Sequence, residues 1–532
     1  MRVKYSWVLA MLLSGCQLTQ STDQNLPEQT NNPPQSVKKA HPESEIAQTP
    51  SQSSSVENSH KVQHKVAKVT PQTQKDVWHR IGMQLHMPIP NNQLVNYYRT
   101  WYITHPSHLK VVSERAAPFL YLITKKIEKR GLPLELALLP VVESAFDPFA
   151  YSHGSAAGLW QIVPGTGRSL GLKRNYWYDG RRDVDAATDA ALDYLTQLNK
   201  RFDGNWYNTI AAYNSGGGRV SSAIRKNKRL GKPTDFFSLD LPNETSAYVP
   251  KLLALADIVA HQKKYGVHIP PIANKPVVEL VNPKEQLDLA IAAKYANISV
   301  KELQELNPAY NQWATAPEGP YQLLLPIKSI ARFEKEVKDN PGRGMKLIRY
   351  KVKSGDALIS LAKKYNTTPK VIRVANNLTG NTIRVGQYLL IPTSTKNDQV
   401  YALSASNRLA KIQSESQGKY KLTHTVKSGD SLWSIARENK VSYRSLAKWN
   451  GMGPRDTLRV GQKLVIWKKA TDGAIIRTVF YKVRSGDTID AIAYKFKVSR
   501  NDIVKWNGLA NQKYIQPGQK LKLYVDVTKV SV

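Results

Sequence analysis

"LLPVVESAFDPFAYSHGSAAGLWQIVPGTG", residues 138–167, decides how this chain is read. Leu134, Leu138, Val141 and Val142 fall near one face at helical spacing, and Glu143 follows them directly. A carboxyl at the end of an apolar face is partly desolvated. Desolvation disfavours the charged form and raises the pKa, which is what a general acid needs at neutral pH. Gly131 closes the preceding run "FLYLITKKIEKRG", Pro133 suits the first turn of the next helix, and Pro140 predicts a kink inside it. Beyond Glu143 the residues become small. Gly154, Ser155, Ala156, Ala157 and Gly158 let a ligand ring come close to the backbone, or let another element pack tightly. Gln161 supplies both a donor and an acceptor.

Two further stretches belong with this one: Ala211-Ala212-Tyr213-Asn214-Ser215-Gly216 and Glu244-Thr245-Ser246-Ala247-Tyr248-Val249. Together with Glu143-Ser144 and the run from Gly154 to Gln161, they resemble the four motifs of the lytic transglycosylases, a family of lysozyme-like enzymes. They stand in the family's order across most of residues 76–266. The resemblance implies a mainly α lysozyme-like domain with Glu143 as the catalytic residue. Around it, Ser144, Ser152, Gln161, Tyr213, Asn214, Glu244 and Tyr248 would form the substrate site. The Tyr213 phenol can hydrogen-bond the Glu143 carboxyl and fix its rotamer, and Asn214 can hold an N-acetyl group. By resemblance Ser152 faces the reacting sugar and Glu244 braces the site from behind. Tyr248 is open to two readings, substrate contact or a buried tyrosine with a satisfied hydroxyl. His153 is read as a loop residue.

An ordinary glycosidase sets two carboxyls across the bond it cleaves. No second one is marked here. Asp147 precedes a proline, which signals a turn. Asp179, Asp183 and Asp185 lie in "WYDGRRDVDAA", where the last two read as a helix N-cap and a first-turn residue. The family mechanism needs no partner, because one glutamate acts first as acid and then as base. It implies cleavage between N-acetylmuramic acid and N-acetylglucosamine of peptidoglycan, leaving a 1,6-anhydro sugar. Hydrolysis by a goose-type muramidase, or wall binding without catalysis, are the alternatives. No metal or cofactor is expected, since there is no HExxH helix, no Cys/His cluster and no phosphate-binding glycine loop.

Downstream the chain repeats itself. Segments beginning at Tyr350, His424 and Tyr481 each carry Ser-Gly-Asp, two amphipathic stretches and a closing Gly-Gln before an apolar run. Each reads as strand–helix–helix–strand. In the second, Val426 starts the strand, Asp430 reads as an N-cap, and Leu432, Ile435 and Ala436 form the buried face. Ser442 caps the second helix, which Asn450-Gly451 ends, and Ser499-x-x-Asp502 is a capping-box variant in the third. These repeats resemble LysM modules, βααβ domains that bind N-acetylglucosamine-containing glycans. A degenerate fourth copy is expected between Val281 and Pro326, without the Ser-Gly-Asp turn.

The whole is therefore expected to be a multidomain α+β protein. A lipoprotein signal covers 1–16, a disordered tether 17–75, the transglycosylase domain 76–266, and a connector 267–340. LysM modules follow at 348–393, 422–467 and 479–525, with linkers at 394–420 and 468–478. The signal rests on Arg2, Lys4, a short apolar run and Leu13-Ser14-Gly15-Cys16, which resembles a lipobox. Cys16, the only cysteine of the chain, would carry the lipid, and by the same resemblance Gln17 implies the outer membrane, on its periplasmic side. The remaining chain then has no thiol for a disulfide or thiolate cluster. The net charge of +35 suits a polyanionic partner. Because the charge is spread along an exported chain, that partner is read as peptidoglycan and not nucleic acid. The protein is expected to act as a monomer.

Overall fold

The computed structural model describes residues 69–152, 154–340, 343–468, 476–510, 512 and 514–526. Cys16, the signal segment, most of the tether, His153 and much of 468–478 lie outside the described residues.

The first domain is helical: α1 (Val77–Gly82), α2 (Gln93–Thr104), α3 (Pro106–Ala116), α4 (Leu120–Lys129), α5 (Leu139–Ser144), α6 (Pro164–Ser169), α7 (Val184–Arg201), α8 (Trp206–Ser215), α9 (Gly217–Arg229), α10 (Asn243–Ala260) and α11 (Gln262–Tyr265). Helix α10 runs through the centre, with Val249, Leu252, Leu253 and Ala254 fully buried, and packs on α1, α2, α5 and α8. Asp183 caps α7 by accepting from the Ala186 amide at 2.9 Å, and Asp185 lies in its first turn, as the sequence suggests. The core extends past Gly266. Ile269 and Ile272 are buried in it, and Ile272 accepts from the Val77 amide at 2.8 Å. Residues 267–272 therefore pack as part of the helical domain and not as connector.

Four βααβ units follow. The first joins β1 (Val278–Val281), α12 (Leu289–Ala296), α13 (Val300–Leu306) and β2 (Leu323–Pro326), then adds α14 (Ile327–Asp339). The others are β3 (Met345–Lys351), α15 (Leu358–Lys364), α16 (Pro369–Ala375) and β4 (Tyr388–Ser394); after α17 (Ala405–Ser414), β5 (Tyr420–Thr425), α18 (Leu432–Glu438), α19 (Tyr443–Trp449) and β6 (Lys463–Lys468); and β7 (Ile476–Lys482), α20 (Ile489–Phe496), α21 (Arg500–Asn507) and β8 (Lys520–Asp526). Each pairs its two strands antiparallel.

One asparagine staples every unit. The Asn450 side chain donates to the Leu446 and Val465 carbonyls and accepts from the Val465 amide. It thereby joins the end of the second helix to the returning strand. Asn307, Asn376 and Asn507 make the same three bonds in their units. The segment around Val281–Pro326 thus has the architecture of the other three.

Four expectations change. The second unit's strand ends before Val426. Asp430 is not the N-cap of α18; Ser431 is, accepting from the Ser434 amide at 3.0 Å. Asp430 instead accepts from the Lys427 amide and meets His424 Nε2 at 2.8 Å, closing the turn before the helix starts. Ser442 stands at the N-cap of α19 without a side-chain cap bond, whereas Ser499 does accept from the Asp502 amide. The expected linker 394–420 is folded. It holds α17, and its fully buried Tyr401 donates to the Asp288 carboxylate at 2.8 Å. With the Leu403 amide donating to Gln304 Oε1 at 3.0 Å and the Ala405 amide to the Asn311 carbonyl at 2.8 Å, this ring docks an otherwise polar segment on the first βααβ unit.

The helical domain and the first βααβ unit are knitted together. Trp177 and Tyr178 leave the former to join the latter's core, with the Tyr178 and Tyr310 rings 5.5 Å apart.

Candidate active site

Glu143 owes its place to a broken helix. The run from Leu134 is not one helix with a kink: Leu134–Leu138 is a 3-10 turn, and α5 begins afresh at Leu139. Pro140 then sits in the first turn of α5, where its missing N–H costs nothing. The helix stops abruptly because Ala145 (φ 48°) and Phe146 (φ 57°) both turn left-handed, and Phe146 donates to the Pro140 carbonyl. Such a conformation costs an L-residue roughly 1–2 kcal/mol. Full burial of the Phe146 ring holds it in place.

The carboxyl opens into a cavity lined also by Ser152, Gly154, Ala156, Gln161, Ile162, Val163, Thr166, Leu170, Tyr194, Tyr213, Asn214 and Gly216. Burial pushes the Glu143 pKa up to about 8. A hydrogen bond from Tyr248 works against that shift, and the negative charge of Glu244 adds to it. At neutral pH the group is therefore mostly protonated, ready to give a proton.

The bond from Tyr248 corrects one expectation and decides another. Tyr213 does not bond Glu143; its hydroxyl donates to the Trp160 carbonyl at 2.8 Å. The buried Tyr248 on α10 reaches across instead, and its hydroxyl donates to Glu143 Oε1 at 2.5 Å. Of the two readings of Tyr248, the buried tyrosine with a satisfied hydroxyl is the one found. The acceptor is the Glu143 carboxyl itself.

The other predicted residues divide in two. Ser152, Gln161, Tyr213 and Asn214 line the cavity with Glu143. Thr245 donates to Asn214 Oδ1 at 2.9 Å, which fixes that amide with its NH2 as the donor side. Gln161, at φ 46°, donates to the Gly158 carbonyl at 2.8 Å. Ser144 does not line the cavity. It is buried, with its hydroxyl 3.0 Å from both the Pro140 and the Leu159 carbonyl, so it ties α5 to the glycine-rich loop. Glu244 is exposed in the first turn of α10 and reaches Glu143 through its charge.

The glycines also separate by role. Gly154 lines the cavity, whereas Gly158 (φ 78°) is pressed against another chain segment. A Cβ there would lie 2.2 Å from the Arg181 carbonyl oxygen. Arg181 itself was not singled out by sequence. Buried, it pairs with Asp179 through two bonds of 2.9 and 2.7 Å and donates to the Ser155 and Ile162 carbonyls. Burial works to raise the Asp179 pKa, yet the bonds and charge of Arg181, with Arg182 and Arg174, hold it below the usual range. The repeated arginines of "YDGRRD" were the available signal. Asp147 accepts from the Phe149 amide in a turn, as its proline implied.

Glu143 is the one carboxylate among the described residues lining the cavity. The described residues contain no group of three His, Cys, Asp or Glu able to hold a metal ion. The site offers one neutral carboxyl, a phenol that holds it, and amide and hydroxyl groups for a polar ligand. That is equipment for proton transfer to and from a bound polar ligand.

Comparison with known proteins gives a consistent answer. The family model described as Transglycosylase SLT domain matches residues 121–236. LysM domain matches 350–392, 424–467 and 481–523, and Lytic transglycosylase MltD, LysM-like domain, matches 278–340. The membrane-bound lytic murein transglycosylase D of Escherichia coli is 40% identical over 409 residues, covering 74% of this chain and 86% of that protein. N-acetylmuramoyl-L-alanine amidase sle1 of Staphylococcus saprophyticus is 37% identical over 182 residues, 33% of this chain and 50% of that protein. The solved lytic transglycosylase Slt of Pseudomonas aeruginosa matches 36% of this chain and 33% of its own at 23% identity, with a TM-score of 0.24 too low to bear on the fold.

Proposed function

The chain belongs to the membrane-bound lytic murein transglycosylases, and from that premise we propose that Glu143 performs both proton transfers of peptidoglycan cleavage. Its neutral carboxyl protonates the glycosidic oxygen between N-acetylmuramic acid and N-acetylglucosamine, and the muramic C1–O bond breaks. The muramic acetamido oxygen closes on C1 and shelters the cationic centre. Glu143, now a carboxylate, takes the proton of the muramic C6 hydroxyl as O6 attacks C1 and the acetamido group withdraws. The carboxyl ends protonated, the product carries a 1,6-anhydro ring, and no water is consumed. Ser152, Gln161, Tyr213 and Asn214 hold the sugar against it; Tyr248 fixes the carboxyl from behind.

The observation that carries this reading is that Glu143, with a pKa of about 8, is the one carboxylate among the described residues lining its cavity. A mechanism with two carboxyls would need a second one there. The LysM modules bind the glycan and keep the enzyme on the wall, where tethering raises the local concentration of further sites. Cys16 carries a lipid that anchors the protein to the outer membrane facing the periplasm, and it acts there as a monomer. Support for the anchor is the Leu13-Ser14-Gly15-Cys16 sequence and the membrane-bound relative. Among the described residues no helix is long and apolar enough to cross a membrane.

Mass spectrometry of the muropeptides released from sacculi tests the reaction. Wild type should give anhydro ends and Glu143→Gln none. A full set of reducing ends would make the enzyme a hydrolase.

A further inference from the structure

The glycine-rich loop has two faces. Ser152, Gly154 and Ala156 line the catalytic cavity. Tyr151 and Ser155, at alternate positions, turn outward and meet one residue of the second LysM module, Asp456. The Tyr151 hydroxyl donates to Asp456 Oδ2 at 2.9 Å, and the Ser155 hydroxyl donates to Oδ1. The carboxylate is held in place by its own turn, since the Gly453 amide donates to Oδ2 at 2.8 Å. On the inner side Arg181 grips the Ser155 carbonyl at 2.6 Å, with Ser155 in a left-handed conformation at φ 61°. This strained residue is thus held from both sides, once by its own domain and once by the LysM module. The aspartate is peculiar to the second module. Aligned on "TIRVGQ", "TLRVGQ" and "YIQPGQ", the place of Asp456 is taken by Asn381 in the first module and Lys513 in the third.

We propose that Asp456 is a positioning residue of the transglycosylase site: through it the second LysM module fixes the outer face of the loop whose inner face receives the sugar. This rests on the function proposed above for Glu143. A carboxylate bonded to two hydroxyls sets the height of the loop, and displacement of a positioned group by about 1 Å can cost up to about a hundredfold in rate. The module would then serve catalysis apart from any glycan it binds.

The test uses the full-length protein and sacculi, with kcat, KM, sacculus co-sedimentation and thermal melts as readouts. Asp456→Ala and Asp456→Lys should lower kcat roughly tenfold while KM and co-sedimentation hold, and Asp456→Glu should restore part of the loss. The double variant Tyr151→Phe/Ser155→Ala, which leaves the module's own turn untouched, should reproduce the fall, and adding Asp456→Ala should lower it no further. Wild-type kcat in that double variant, beside an inactive Glu143→Gln, would overturn the inference alone. So would a loss in the Asp456 variants that tracks lost sacculus binding. Sacculi digested by Glu143→Gln would overturn the reading of the site and this inference with it.

Discussion

Replacing Tyr248 by phenylalanine separates the factors that set the Glu143 pKa. The Tyr248 hydroxyl donates to the carboxyl and so favours its charged form, against burial and the charge of Glu244. A hydrogen bond to a charged group contributes about 1.5–3 kcal/mol, and one pKa unit corresponds to about 1.4 kcal/mol. Tyr248→Phe should therefore lift Glu143 by about one to two units above its value of about 8. The acid form is lost as pH rises through the pKa. The alkaline limb of kcat/KM should accordingly stand near pH 8 in wild type and at least about one unit higher in the variant. The same substitution releases the carboxyl rotamer, so the plateau should fall, by roughly tenfold. Muropeptide release from sacculi across the alkaline range, measured for both proteins, reads limb and plateau separately. A limb that stays put or moves to lower pH would refute the reasoning. A plateau at wild-type height would show that Tyr248 does not orient the carboxyl.

Two further outcomes concern stability. Glu143 binds its proton more tightly folded than unfolded, so this contribution is fully present below about pH 4.5 and is lost as pH rises towards 8. Glu143→Gln has no proton to release. Its thermal midpoint should match wild type near pH 4.5 and exceed it by an amount worth about 3 kcal/mol at pH 7; a gap independent of pH would contradict the raised pKa. Gly158→Ala meets a left-handed φ and the Arg181 carbonyl together, and should destabilise the helical domain by about 2 kcal/mol or more, which a wild-type melting profile would disprove.

Much of the fold was legible because it rests on spacing. Periodicity located the apolar face that ends at Glu143, and the repeated Ser-Gly-Asp segments located three of the four βααβ units. The asparagine staple leaves its trace too: Asn307, Asn376, Asn450 and Asn507 recur at one place in each unit, but their meaning needs the returning strand. What spacing cannot carry is the choice between similar side chains on different helices. Tyr213 on α8 and Tyr248 on α10 are both phenols in recognisable motifs. Which of them reaches Glu143 depends on the path of α10 through the core. Ser144 is next to Glu143 along the chain, but about 100° further around the helix its hydroxyl meets the Pro140 and Leu159 carbonyls. Residues 394–420 read as a linker because their composition is polar, and the contacts of Tyr401, Leu403 and Ala405 with the first βααβ unit are not visible in composition.

The arrangement around Glu143 answers a requirement peculiar to a single carboxyl. A residue that only donates a proton gains from a raised pKa until it is protonated at the operating pH, and beyond that every feature that disfavours its anion weakens it as an acid. One that must also take a proton back in the same turnover cannot afford an anion held too high, or the return transfer outruns the departure and the carboxyl stays neutral. Burial alone drives the pKa up without limit of purpose. Tyr248, donating to the same oxygen, stabilises the anion and pulls the value back towards the operating range. The apolar run of "LLPVVESA" therefore supplies only half of the tuning. The other half comes from a phenol 105 residues further on, carried to the carboxyl by the central helix.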